Sequence, residues 1–170
     1  MLQEDLSGQA LVTIQVRLKA VDYIIIHEYY MLGQASLGWI DRQCRQATGL
    51  HEVLFGGKSV ILFGVHAQLP LVQDKPLYHS KPSSAIAEQG YGAYQMFDKV
   101  VILKFNQRAL RSELDQVLFK QLLKRLQNGE TTEDDWKQFL ARQPSQVENV
   151  ECFDGVTRLY YSNDEVAKYN

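Results

Sequence analysis

The residues best placed for chemistry stand where apolar runs end. Tyr23-Ile24-Ile25-Ile26 is followed directly by His27-Glu28. Ligands of open parallel sheets sit at the carboxyl ends of the strands, so a carboxylate there can polarise a water or share a cation. Two adjacent acids would divide the work, one holding a Mg²⁺ shell and the other activating water. Here the first position is His27, and neutral imidazole suits a hard, oxygen-seeking cation poorly. The stretch reads equally as a structural strand end closed by a polar pair. A second run, Ser59-Val60-Ile61-Leu62-Phe63, breaks at Gly64 and leads to Gln68, whose amide a strand-end turn can bring to a phosphate. It reads equally as an ordinary turn. Phe55-Gly56-Gly57-Lys58-Ser59 ends like the phosphate loop G-x-x-x-x-G-K-[ST], but Glu52 stands at the first glycine position. A strand rather than a helix follows Ser59, so the run is a turn into that strand.

Metal chemistry built on soft ligands is excluded by spacing. Cys44 and Cys152 have no C-x-x-C partner, and His27, His51, His66 and His79 show no H-x-x-x-H pattern. Both cysteines are expected to be ordinary packed thiols.

The elements that position these residues follow from periodicity. Leu6, Ala10, Ile14 and Leu18 predict an amphipathic helix within Leu2–Lys19. Val21–Ile26 is apolar on both parities and predicts a strand buried on both faces. Leu37, Ile40, Cys44 and Ala47 predict a second helix, stopping at Thr48-Gly49. Ser59–Phe63 and Val100–Leu103 predict two more buried strands, with a loop at Leu69–Ser84 holding Pro70, Pro76 and Pro82. Leu114, Leu118, Leu122 and Leu126 predict a helix closed by Asn128-Gly129. Thr131 and Thr132, three residues before Asp134 and Asp135, open a short helix through Trp136, Phe139 and Leu140. Thr157–Tyr161 reads as a last strand. Trp39 and Trp136 are expected in the core, and Arg42, Arg45 and Lys120–Arg125 on solvated helix faces. Strand, helix, strand is the grammar of an α/β domain, with a boundary near Val100–Arg108.

Composition bounds the function classes. The chain has 170 residues, 45% hydrophobic and 22% charged, which excludes disordered and collagen-like character. Eighteen Lys+Arg against twenty Asp+Glu leave −2, so no global basic field advertises nucleic acid. No apolar run approaches the ~20 residues that span a bilayer. Met1–Ala10 carries Glu4 and Asp5 and does not read as a signal peptide, so a soluble intracellular chain is expected.

Taken in order along the chain, the segments resemble the Pif-type (petite integration frequency) DNA helicases of superfamily one, in particular their Helitron-like branch. Ile25-Ile26-His27-Glu28-Tyr29-Tyr30-Met31 is similar to I-I-D-E-x-S-M. Phe55-Gly56-Gly57-Lys58 and Gly64-Val65-His66-Ala67-Gln68-Leu69-Pro70-Leu71-Val72 resemble F-G-G-K followed by G-D-x-x-Q-L-P-P-V. Leu103-Lys104-Phe105-Asn106-Gln107-Arg108 resembles L-T-x-x-x-R, and Leu122-Leu123 with Leu126–Gly129 resembles the family's L-L-x-x-(L/I)-R-x-G helix end. His27, Tyr30, Val65 and Leu71 depart from the pattern's Asp, Ser, Asp and Pro, each by a change that one base substitution can make.

The resemblance implies a partial RecA-like P-loop NTPase lobe over 1–100, a parallel sheet with flanking helices that lacks the phosphate-loop strand. The helical start of a second lobe would occupy 101–170. It implies an ATP-dependent 5′-to-3′ DNA helicase serving repair, recombination and telomere maintenance, with ATP and Mg²⁺ as cofactors and single-stranded DNA as partner. It places such a protein in the nucleus or mitochondrion. Glu28 would polarise the attacking water, Gln68 would sense the γ-phosphate and Arg108 would act as arginine finger, with Gly64, Gln68 and Arg108 binding the nucleotide. Metal binding would fall to Glu28, with His27 at the lost Asp position. The family's phosphate loop would lie upstream of Leu2 and its last motifs beyond Asn170, so a truncated copy inactive alone is expected. A non-catalytic DNA- or helicase-binding fragment and a pseudogene remnant are the other readings.

Overall fold

The computed structural model describes residues 4–65, 71, 73–104, 114–143, 145–149, 151 and 155–169. It divides into two units, Met1–Asn106 and Gln107–Asn170. Among the described residues the architecture is mixed α/β, with a two-stranded parallel sheet and six α-helices. No helix among them is long and apolar enough to cross a membrane.

The first unit runs α1 (Gly8–Leu18), β1 (Tyr23–His27), α2 (Gln34–Thr48), β2 (Ser59–Phe63) and α3 (Ala85–Gln95). The β-branched run of β1 pairs in parallel with β2, from Tyr23 opposite Ser59 to His27 opposite Phe63. A parallel pair needs a crossover, and α2 supplies it. Gly49, at φ +74°, ends α2 where Thr48-Gly49 predicts a stop. The core joins Leu37, Cys44, Phe55, Leu77 and Ala93, with Ile24, Ile26, Val60 and Leu62 packed against it from the sheet. The opposite face carries Tyr23, Ile25, Ile61 and Phe63, all exposed. Both strands are therefore covered on one face, not on the two that their unbroken apolar runs predict.

The α3 helix lies just past the predicted loop and has no counterpart among the predicted elements, because Gly90 and Gly92 weaken its helical signal. Ser84 caps it, accepting from the Ala87 N–H at 3.2 Å. Gly90 serves close packing: a Cβ there would lie 1.9 Å from the Gln34 carbonyl oxygen, and one on Gly38 2.0 Å from that of Ile86. Two glycines thus let the backbones of α2 and α3 touch.

Val100–Leu103 forms no strand, and its four side chains are 75–84% exposed. β-branched composition favours an extended backbone, but a strand also needs a neighbour to accept its hydrogen bonds, and the described sheet ends at β1 and β2.

In the second unit, α4 (Leu114–Asn128) follows the four-residue leucine repeat, buries Leu122, and ends at Gly129 with φ +72°. The next helix, α5 (Glu133–Leu140), opens on a full capping box in which Thr132 and Asp135 exchange side-chain-to-backbone bonds. Arg125 donates to both Asp135 oxygens, tying α4 to that cap. It is thus a structural cation, not part of a solvated face. Trp136 is 62% exposed, outside the core expected for it. A last helix, α6, spans Asn163–Tyr169. Thr157–Tyr161 forms no strand and pairs with none among the described residues, and Leu159 and Tyr161 are almost fully exposed.

Candidate functional site

The site is built at the carboxyl edge of the β1–β2 pair. Because His27 stands opposite Phe63, the residues that follow, Glu28 and Gly64, leave the sheet on the same edge. Glu28 adopts φ 61°, ψ 43°, a left-handed conformation unusual for a residue with a side chain, and a 3₁₀ turn at Tyr29–Met31 follows. Such local strain persists where the surroundings impose it. Beside it, the Tyr30 hydroxyl donates to Oε2 of Glu28. His27 Nδ1 lies 3.4 Å from the other carboxylate oxygen, Oε1. The hydrogen bond to Glu28, and then burial, push the Tyr30 phenol above the usual tyrosine range.

Gly64 makes this arrangement possible. A Cβ on it would lie 3.0 Å from Tyr29 Cδ1 and 3.1 Å from Tyr30 Cδ1, so the two rings lie against the end of β2. Downstream, Asp74 accepts from the Ala35 and Ser36 N–H groups at 3.1 and 3.3 Å, capping α2 from a distance. Gln34 N–H donates to the Lys75 carbonyl at 2.9 Å, and Gly33 bridges Pro76. The chain is therefore anchored beside the exit of β1 both before and after position 68. Gln68 itself, like Arg108, lies outside the described residues.

The Phe55-Gly56-Gly57-Lys58 run is a tight turn into β2, with φ of 51°, 58° and 77° at Phe55, Gly56 and Gly57. It is held by Asp41, a fully buried carboxylate of α2. Asp41 accepts from the Phe55 N–H at 2.6 Å, from Gln89 Nε2 at 2.7 Å, and from Arg45 Nε at 2.9 and 3.0 Å. Arg45 also donates to the His51 carbonyl at 2.8 Å. Arg42 binds Asp5 and stacks 5.6 Å above the half-buried ring of Trp39. Arg45, expected on a solvated face, is thus a structural cation, whereas Arg42 lies on an exposed face as expected. Sequence patterning misses Asp41 and Asp74; the Asp41–Arg45 spacing of four on one helix is the available signal for the first. Cys44 packs as a small buried thiol, and burial pushes it up to about 11. Cys152 and His66 lie outside the described residues.

The donor set does not fit Mg²⁺. One strand-end carboxylate is engaged by a phenol, its neighbour is an imidazole, and no cluster of three His, Cys, Asp or Glu side chains forms among the described residues.

The chain is similar to the ATP-dependent DNA helicase PIF1 of Trypanosoma brucei brucei (strain 927/4 GUTat10.1), with 38% identity over 63 residues. That stretch is 37% of this chain and 7% of the trypanosome protein. No protein-family model and no solved structure matches this chain.

Proposed function

We propose that the chain is a fragment of a Pif-type ATP-dependent DNA helicase in which the nucleotide motifs have drifted beyond use. The carrying observation is the parallel β1–β2 pair, whose register sends Glu28 and Gly64 off one edge of the sheet with the Phe55–Lys58 turn feeding β2. The likeness to a DNA helicase supports the same reading. In an intact relative, Glu28 would polarise the attacking water, Gly64 and Gln68 would face the γ-phosphate, and Arg108 would reach it as an arginine finger. Single-stranded DNA would be the track, followed 5′ to 3′, in the service of repair, recombination or telomere maintenance. ATP with Mg²⁺ would be the fuel of such a relative, whose motif carries an acid where this chain has His27. Removing one electrostatic interaction of this kind costs several kcal/mol of transition-state stabilisation.

Equilibrium dialysis against radiolabelled ATP with Mg²⁺ tests the reading. No saturable binding at millimolar nucleotide is expected. Saturable binding that Glu28→Gln weakens would show a working nucleotide site and contradict the proposed drift.

A further inference from the structure

We infer that Tyr30, acting with His27, closes the β1 strand end to divalent cations. This rests on reading His27-Glu28 as an altered nucleotide-motif pair. A hard cation binds a carboxylate through the lone pairs of its oxygens. Oε2 of Glu28 accepts the Tyr30 hydroxyl, and Oε1 faces His27 Nδ1 at 3.4 Å. Both oxygens are thus turned toward protein groups. The Tyr30 ring is wedged against Gly64, on the carboxyl edge where a parallel sheet receives its ligand. Glu28 stands in its left-handed conformation at the base of this wedge, with its carboxylate held by the phenol. Restoring an oxygen ligand at position 27 alone therefore leaves Glu28 engaged. Tyr30 is a positioning residue: it acts on a cation only by where it holds the carboxylate.

Binding of Mn²⁺ to the full chain, followed by the electron paramagnetic resonance of the free ion, tests the inference without requiring turnover. His27→Asp alone should stay within about twofold of the unsubstituted chain, whereas adding Tyr30→Ser should tighten binding about tenfold. His27→Asp with Tyr30→Phe, which keeps the ring on Gly64 and removes only the hydroxyl, should reproduce that gain. Equal gain from His27→Asp alone, or none in either double variant, overturns the role of Tyr30. A gain that survives Glu28→Gln places the ion elsewhere and overturns the reading of the strand end itself.

Discussion

Removing the Asp41 carboxylate strands several donors at once, since the Phe55 amide, the Gln89 amide and the Arg45 guanidinium all converge on it in the core. Breaking a buried ion pair by deleting one partner costs about 3–5 kcal/mol. Asp41→Ala should therefore lower the unfolding free energy by an amount in that range, read as a lower denaturant midpoint with an unchanged slope. A decrease no larger than that of an exposed substitution would mean that the turn into β2 holds itself. The neighbouring Cys44 gives a second check at this scale. With its thiol pushed up to about 11 by burial, it carries almost no thiolate at neutral pH. Iodoacetamide should modify it only at the rate at which the unit opens, and fast modification in native buffer would contradict the packing. The packed thiol is expected from the lone, widely spaced cysteines, but the role of Asp41 is not legible in the sequence. A lone Asp on a helix reads as solvated until the turn it caps is seen folded against it.

Between elements, glycine decides. The α2–α3 contact depends on Gly38 and Gly90, whereas a Cβ on Gly92 would meet nothing within 4 Å. Gly90→Ala should destabilise by about 1–3 kcal/mol through forced separation of the helices. Gly92→Ala should be neutral or stabilising by up to about 1 kcal/mol, since it only relieves a helix-interior glycine. Thermal unfolding of the pair distinguishes close packing from a general intolerance of alanine. In the second unit, Arg125 and the Thr132 cap hold the Asp135 carboxyl well below the usual carboxylate range. A depressed folded value means that the unfolded chain binds the proton more readily, so stability rises with pH in that window. The contribution is complete above about pH 4 and is lost as pH falls through the depressed value. Asp135→Asn should flatten this acid limb of the stability profile; an unchanged limb would assign it to other carboxyls.

For the whole molecule, local periodicity is a good guide and pairing is not. Both long helices, the capping box and the two paired strands follow from residues a few positions apart. The extent of the sheet depends on which segments meet, which no periodicity encodes; hence Val100–Leu103 and Thr157–Tyr161 carry strand composition without strand partners. The ends of the two apolar runs likewise make the shared Glu28 and Gly64 edge legible, while the Tyr30 contact depends on a folded turn and is not. Among the described residues, the exposed sheet face and the exposed Val100–Leu103 run leave unpaired apolar surface and open strand edges, which invite association. These 170 residues expressed alone should be poorly soluble, and a monomeric preparation with a cooperative thermal transition would contradict that.

The proposed loss of nucleotide chemistry at the Glu28 strand end is tested most directly by ATP turnover of the purified chain with and without single-stranded DNA. The expected result is no turnover above the protein-free blank, no stimulation by DNA, and no difference on Glu28→Gln. Turnover stimulated by single-stranded DNA and abolished by Glu28→Gln would show the site to be working and the claim wrong.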